Sequence, residues 1–247
     1  MEIIAIVSRK GGVGKTATAQ ALGAGLMKAG NSVLYVDLDS QANLTNSLAA
    51  AAGFDSMDVL TGRATAQEAA QHTQQGDVIP GSEDLAGADM AITGARKEYR
   101  LKDALAGLQY DYCIIDTPAA LGSLTINALA AAGSVIIPVQ ADIYSLQGLA
   151  QINKALEAVR RRCNHELYIR GILVTRYNKR SVIARDMLAN LAAAAGKLNT
   201  KLFKATIREC VSVKEAQALQ LDIFSYAPRS NAAKDYAAFL NEFLERG

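Results

Sequence analysis

The sequence of 247 residues predicts a doubly wound α/β fold, a mostly parallel sheet of about seven to eight strands flanked by helices. Two observations favour this fold class. Short runs rich in isoleucine and valine alternate along the chain with longer, alanine-rich segments of helical character. Several of the short runs are apolar throughout rather than at every second position, which is typical of strands that are covered on both faces.

The predicted elements follow one another in a regular order. Strands are expected at residues 2–8, 31–37, 77–81, 111–116, 134–139, 167–175 and 201–207. Helices are expected at residues 15–29, 43–51, 95–107, 122–132, 145–162, 181–195, 211–219 and 230–245. Because helical crossovers join parallel strands, this alternation favours a parallel sheet. We find no linker, repeat or low-complexity tract, so a single domain is expected over residues 1–247.

The composition indicates a folded protein, because half of the residues are apolar and only a fifth are charged. The first apolar run is too short for a signal peptide and lacks a basic flank. Three widely spaced cysteines, Cys113, Cys163 and Cys210, form no Cys-x-x-Cys pair. We therefore expect free thiols rather than a disulfide framework or a zinc or iron–sulfur site.

One uncharged segment, residues 117–141, is long enough to cross a bilayer, for which about 20 apolar residues suffice. Pro118, Gly122, Gly133 and Pro138 interrupt it and divide it into a helix and a strand. A buried β-α-β segment explains the run better than a membrane span, and no membrane partner is expected.

Charge is distributed unevenly although the net charge is only +2. Residues 154–215 contain 14 lysines and arginines against 5 acidic residues. Such a basic block suggests a polyanionic partner, and a set of solvated helix faces is the alternative. Three consecutive arginines, residues 160–162, end a predicted helix, where cations also favour the helix dipole.

A glycine-rich loop follows the first predicted strand. The sequence Lys10-Gly11-Gly12-Val13-Gly14-Lys15-Thr16 leads directly into a predicted helix. Such glycines let backbone N–H groups converge on phosphate oxygens at a helix N-terminus. Lys15 is expected to neutralise the β- and γ-phosphates, and the Thr16 hydroxyl to ligate Mg²⁺. A site for a nucleoside triphosphate needs one lysine, whereas this loop has a second one, Lys10.

The segment KGGVGKT resembles the deviant Walker A loop of the ParA/MinD superfamily of P-loop ATPases, in which the earlier lysine is the signature residue. The resemblance implies that ATP and Mg²⁺ are the ligands and that two subunits sandwich two nucleotides in an ATP-dependent homodimer. Lys10 is then expected to act in trans on the partner's phosphates, as an arginine finger does. Residues 10–17 form the expected phosphate site, in which Ala17 replaces a common threonine.

Two aspartate segments continue the resemblance. The segment VDLDSQANLT, residues 36–45, resembles the first switch, in which Asp39 orients the attacking water and Asp37 supports the metal and the switch. The strand YDYCIID and the following TPAALG resemble Walker B and the second switch, so Asp116 is expected to hold Mg²⁺ together with Thr16 and Asp39. Ser40 and Ala42 depart from the proline and glycine common at these positions.

Later segments resemble the ParA branch in family order: residues 133–149, 171–180, 211–219 and 224–236. By this resemblance, Asn178 and Pro228 are expected to contact the adenine. The small form of the family, without an N-terminal helix-turn-helix, is expected, and with it no site-specific operator binding.

The basic surplus falls where partition ATPases bind DNA without sequence preference. The expected contacts to nonspecific double-stranded DNA are Arg180, Arg185, Lys204, Arg208 and Lys214. Such phosphate contacts give salt-sensitive, sequence-independent binding. Ser212 stands where the family often has an arginine.

The resemblance implies a DNA-partition switch, cytoplasmic and associated with the nucleoid. ATP would dimerise the protein, the dimer would bind DNA, and a centromere-binding, ParB-type activator would trigger hydrolysis and release. The main alternative is a MinD-like ATPase that positions cargo on a protein assembly or a membrane surface. A metabolic or electron-transfer ATPase and a non-hydrolysing ATP-gated binding module are further alternatives.

Overall fold

A computed structural model of the chain describes residues 1–245 and contains an eight-stranded sheet. The predicted domain therefore includes two residues, 246 and 247, that lie outside the described part. The strands are β1 (Glu2–Ile6), β2 (Val33–Asp37), β3 (Gln71–Thr73), β4 (Gly76–Ile79), β5 (Tyr112–Asp116), β6 (Ser134–Gln140), β7 (Tyr168–Tyr177) and β8 (Leu202–Arg208).

The sheet is ordered β3-β4-β2-β5-β1-β6-β7-β8. Every neighbouring pair is parallel except β3 and β4, which form an antiparallel hairpin at one edge. The predicted fold class, a doubly wound and mostly parallel sheet, is thus confirmed. Strands β2 to β5 lie on one side of the central strand β1 and strands β6 to β8 lie on the other. In such sheets a crevice forms at the carboxyl ends of the strands where the order reverses.

Helices cover both faces of the sheet. They are α1 (Lys15–Lys28), α2 (Asn43–Ser47), α3 (Ser56–Thr61), α4 (Ala66–Ala69), α5 (Ala88–Ala91), α6 (Arg100–Leu105), α7 (Ser123–Ala131), α8 (Ile143–Arg162), α9 (Val182–Lys197), α10 (Val211–Ala218), α11 (Ile223–Tyr226) and α12 (Asn231–Leu244). None of the helices within residues 1–245 is long and apolar enough to span a membrane.

Two apolar cores lie on opposite faces of the sheet. On one face, Ala5 of β1 and Leu34 of β2 pack with α3, α6, α7, α8 and α9. On the other face, their neighbours Ile4 and Tyr35 pack with α1, α10, α11 and α12. Because adjacent residues of one strand point into different cores, both must be apolar, which explains the runs without alternation.

The structure differs from the sequence prediction mainly between residues 52 and 92. The edge strand β3, the short helices α3, α4 and α5, and the one-turn helix α11 were not expected. The prediction missed α3 although it begins with a capping box between Asp55 and Asp58, a signal visible in the sequence. The strand β3 is three residues long and polar, so its hydrophobic pattern gives no strand signal.

Candidate nucleotide site

The glycine-rich loop connects β1 to α1 at the carboxyl edge of the sheet. Gly12 and Gly14 have left-handed backbones with φ values of 72° and 86°. Glycine adopts this conformation at little cost because it lacks a Cβ atom. Gly14 immediately precedes the first helical residue, Lys15, so the N-terminus of α1 and its dipole face the loop.

A cleft of about 870 Å³ opens beside this loop. Its phosphate end is lined by residues 11–17, together with Asp39 of the first switch and Ala119. All residues of the predicted phosphate site except Lys10 therefore face one cavity. Lys15 is buried, with 8% of its surface exposed, as expected for a cation that serves an enclosed anion.

Lys10 lies on the loop but outside the lining of the cleft. Its ammonium group forms an ion pair with Asp142 and donates a hydrogen bond to Gln140 Oε1 at 2.5 Å. Gln140 ends β6 and Asp142 is the N-cap of α8, where its carboxylate also accepts from the N–H of Tyr144 and Ser145. In this subunit Lys10 is thus held away from the cleft that Lys15 lines.

The change Asp142→Asn separates the two roles of this side chain, the cap of α8 and the ion pair with Lys10. Asparagine also caps helices well, so α8 should begin as before, whereas the ion pair with Lys10 is lost. Because both partners are partly exposed, the pair is worth at most about 1 kcal/mol. If Lys10 must leave Asp142 to act, the ATP concentration for half-maximal dimer formation should fall by about two- to fivefold, measured by analytical ultracentrifugation. An unchanged midpoint would show that the ion pair does not restrain Lys10.

Thr16 and Asp116 meet at the inner end of the cleft. The Thr16 hydroxyl donates to Asp116 Oδ2 at 2.6 Å, and Asp116 lies beside both Ile6 and Asp37 in the sheet register. Within residues 1–245 no protein group hydrogen-bonds the buried Oδ1 of Asp116. An unpaired buried carboxylate oxygen beside a threonine hydroxyl fits a site for Mg²⁺, which prefers oxygen ligands and retains water.

Burial, followed by repulsion from Asp37, raises the pKa of Asp116 well above that of an ordinary carboxyl group. The pKa of the adjacent Asp37 is also raised by burial, so we expect this pair to retain a proton in the metal-free protein at pH values where exposed aspartates are ionised. A bound Mg²⁺ favours the carboxylate and should release this proton. We expect Mg²⁺–ADP binding near neutral pH to release up to about one proton, which calorimetry in buffers of different ionisation enthalpy measures. Asp116→Asn should remove this release, and release that persists in Asp116→Asn would assign the proton to another group.

Asp37 organises the first switch. Its Oδ2 accepts from the N–H and the hydroxyl of Thr45 at 2.9 and 2.8 Å, and its Oδ1 accepts from the N–H of Asp39 at 3.0 Å. The Thr45 hydroxyl oxygen in turn accepts from the N–H of Gly81 at 2.7 Å. Asp37 therefore fixes the segment that carries Asp39.

The switch contains one strained residue. Ala42, which precedes α2, has a φ of 49°. A left-handed backbone costs a residue with a Cβ atom about 1–2 kcal/mol, a cost that glycine avoids. Ala42 therefore stands at a position where the family commonly has glycine and where the backbone conformation favours glycine.

The far end of the cleft does not match the prediction. Its lining comes from the end of β8, from the segment that follows it, and from α10 and α12. The residues are Ile207, Arg208, Glu209, Cys210, Val213, Lys214, Gln217, Ala218 and Tyr236. Asn178 and Pro228 are not among the lining residues. The Asn178 side chain instead accepts from the N–H of Arg180 in the turn before α9, and Pro228 is exposed between α11 and α12. We therefore assign the base end to the segment around Cys210 and correct the prediction for these two residues.

Four of the five predicted DNA contacts are exposed: Arg180, Arg185, Lys204 and Lys214. Arg208 is half-buried, and its guanidinium donates to both carboxylate oxygens of Asp235 at 2.8 and 2.7 Å. Because this forked ion pair occupies the guanidinium, we leave Arg208 out of the proposed set of DNA contacts. The predicted free thiols are found: all three cysteines are unbridged.

Sequence reasoning missed three residues near the loop: Asp142, Thr175 and Arg176. Thr175 and Arg176 end β7, and their partners in the glycine-rich loop lie more than 160 positions away along the chain. Asp142 follows β6 and begins a helix, so its capping role was visible as an aspartate between a strand and a helix.

A glycine-rich loop with Lys15 and Thr16, together with aspartates at the carboxyl edge of a parallel sheet, is typical of a P-loop nucleotide hydrolase, and Lys10 is an additional lysine. Comparison with known proteins agrees. A family model described as an AAA domain matches residues 1–169. The chain is 39% identical to the chromosome-partitioning ATPase Soj of Thermus thermophilus, over 98% of this chain and 95% of the relative. It is 34% identical to the chromosome partitioning protein ParA of Caulobacter vibrioides, over 100% and 95%.

Among solved structures, cobyrinic acid a,c-diamide synthase from Mycobacterium smegmatis with bound ADP and magnesium superimposes with a TM-score of 0.84. Identity is 32%, covering 98% of this chain and 93% of that chain. The chain belongs to the ParA/Soj family of partition ATPases. It is an ATPase, and its cofactors are ATP and Mg²⁺.

Proposed function

We propose that the protein is a DNA-partition switch whose ATP-bound sandwich dimer binds nonspecific DNA and leaves it after hydrolysis. A ParB-type, centromere-binding activator stimulates that hydrolysis, and the switch positions a chromosome, a plasmid or other cargo on the nucleoid. The observation that supports this proposal most strongly is the division of labour between two lysines of one loop. Lys15 lines its own cleft, whereas Lys10 does not.

In the proposed reaction each residue of the cleft has one task. The N–H groups of residues 11–16 and the Lys15 ammonium bind the phosphates. Thr16 and Asp116, which hydrogen-bond each other, hold Mg²⁺, and Asp39, the third residue predicted at the metal, faces the same cleft. Bound Mg²⁺ neutralises charge on the phosphate oxygens. Asp39, held by Asp37, orients the attacking water. Each subunit alone would have an incomplete site, because the second cation, Lys10, must come from the partner.

Lys10 completes the partner's site in this proposal. A cation that stabilises the charge of the transferring phosphoryl group raises turnover strongly, as arginine fingers do. Since the contact with Asp142 is partly exposed, releasing Lys10 from it costs little. Dimer formation and hydrolysis are thereby coupled through one side chain.

The DNA surface is proposed to consist of Arg180, Arg185, Lys204 and Lys214. These four exposed cations surround the start of α9 and the segment β8–α10, within the basic block of the sequence. Their long, flexible side chains suit contacts to phosphates rather than to base edges, which gives binding without sequence preference.

A second candidate function rests on Val182 and Ile183, whose exposed fractions are 60% and 71%. This apolar pair lies between Arg180 and Arg185 at the start of α9. Apolar groups flanked by cations also suit an anionic lipid surface or a protein assembly. In that case the ATPase would position cargo as a MinD-like protein does.

The test measures binding to a random-sequence duplex with ATP and with ADP, and binding to anionic phospholipid vesicles in parallel. We expect DNA binding only with ATP, and a loss of about tenfold or more in affinity for Arg180→Ala/Arg185→Ala. The matched control is Arg63→Ala/Arg96→Ala, which removes two charges that pair with Asp58 and Asp103 elsewhere. The control should bind DNA as the unmodified protein does.

Removing two phosphate contacts should also lower the slope of log affinity against log salt by about 1.8. Equal losses in both double variants would contradict a specific DNA surface. Binding to vesicles with ATP, without binding to DNA, would favour the second candidate function.

A further inference from the structure

Two consecutive residues at the end of β7 hold two consecutive carbonyl groups of the phosphate-binding loop. The Thr175 hydroxyl donates to the carbonyl oxygen of Val13 at 2.6 Å. Arg176 Nη1 donates to the carbonyl oxygen of Gly12 at 3.1 Å. Both residues line the cleft, next to the loop that they contact.

Arg176 adopts an unusual backbone conformation at this place. Its φ of 49° is left-handed, which is uncommon for a residue with a long side chain. Such a conformation persists only where the surroundings impose it. The opposite side of the guanidinium is held by Glu209, whose Oε1 accepts from Nε at 3.1 Å and from Nη2. Arg176 thus bridges the phosphate end of the cleft and the segment after β8.

These contacts determine where the neighbouring N–H groups point. In a trans peptide the C=O and the following N–H point in opposite directions. Binding the Gly12 and Val13 carbonyls to β7 therefore directs the N–H groups of Val13 and Gly14 away from β7. Among the described residues neither N–H has a protein acceptor. These two donors are consequently available to an anion in the cleft.

We propose that Thr175 and Arg176 are positioning residues that set the peptides of the phosphate-binding loop for the nucleotide's phosphates, with Glu209 holding Arg176 in place. The arrangement keeps the loop ready for phosphate before the nucleotide arrives, so less ordering is needed on binding. Neither residue needs to touch the reacting atoms for this role.

If the two residues position the phosphate-binding loop, replacing them should weaken the binding of ligands that carry phosphates and not the binding of adenosine to the same degree. Displacement of a fluorescent ADP analogue by ATP, ADP and adenosine, each with Mg²⁺, compares the three ligands on one variant. Arg176→Met retains the length of the side chain but removes its donors. We expect Arg176→Met to bind ATP and ADP about five- to tenfold more weakly, the effect of misplacing a hydrogen bond to a charged group. Adenosine affinity should change much less, because Arg176 reaches the base end of the cleft only through Glu209.

Two further variants separate positioning from a general loss of structure. Glu209→Gln keeps the Oε1 acceptor for Arg176 but replaces charge-assisted hydrogen bonds with weaker neutral ones, so it should weaken ATP and ADP binding in the same phosphate-dependent way, by less than Arg176→Met does. Thr175→Val keeps the shape of the side chain without its hydroxyl and should reproduce the pattern of Arg176→Met. An equal loss for adenosine and ATP in Arg176→Met, or no loss for ATP, would overturn the proposal.

Discussion

Replacing Lys10 with alanine should reduce ATP turnover by about a thousandfold while leaving ADP binding almost unchanged. Cations that reach into a neighbouring phosphoryl-transfer site are worth about 10³–10⁵ in turnover. Lys10 lies outside its own cleft and contacts Asp142, so the residues that bind ADP remain in place. Steady-state phosphate release and ADP titration measure the two quantities on the same preparation.

The adjacent residue provides the matched control for Lys10. Arg9 is an exposed cation of the same loop that hydrogen-bonds Gln151. Arg9→Ala should retain turnover within about a factor of two, because a surface contact of this kind contributes little. Wild-type turnover in Lys10→Ala, or an equal loss in Arg9→Ala, would contradict the role assigned to Lys10.

Replacing Asp39 with alanine should lower turnover by about 10²–10³, in the range of positioned groups that act on an attacking water. ATP affinity should change little, since the phosphate-binding loop and the Thr16–Asp116 pair do not depend on Asp39. Asp39 lines the cleft beside the loop, and its backbone N–H is held by Asp37. Single-turnover hydrolysis with bound ATP isolates this step from nucleotide exchange.

Asp84 is a suitable control for Asp39, because it is an exposed acid outside the cleft. Asp84→Ala makes the same change of charge and should hydrolyse ATP at the unmodified rate. If Asp39→Ala retains nearly normal turnover, a group other than Asp39 orients the attacking water.

The sequence predicted the parallel part of the fold well, because strands buried on both faces have a composition of their own. Uninterrupted apolar runs such as those around Ile4 in β1 and Tyr35 in β2 are typical of such strands. The hairpin β3–β4 was only half predicted. Its outer strand is held by pairing with β4 and by polar contacts, such as the one between His72 and Asp77, and not by an apolar pattern.

The phosphate-binding loop was visible in the sequence because its chemistry is local, within seven consecutive residues. The base end of the cleft was not, since it is assembled from segments that meet only in the folded chain. Asn178 directly follows β7 in the sequence. Its side chain, however, accepts a hydrogen bond from the N–H of Arg180 in the turn before α9. Arg208 illustrates the same limit, because its partner Asp235 comes from α12.

The position of the Lys10 side chain could not be predicted from the sequence either. The contact with Asp142 joins residues 132 positions apart, and no local pattern encodes it. In the proposed dimer, Lys10 must leave Asp142 before it can reach the partner's phosphates. We propose that two subunits complete each other's sites.

The most direct test of that claim mixes two inactive variants, Lys10→Ala and Asp39→Ala, and measures ATP turnover. In a mixed dimer one cleft has its own Asp39 and receives Lys10 from the partner, so it is complete. Random pairing makes half of the dimers mixed, each with one complete cleft, and predicts about a quarter of the unmodified turnover. If Lys10 acts within its own subunit, no cleft is complete and the mixture stays as inactive as its components, which would contradict the account.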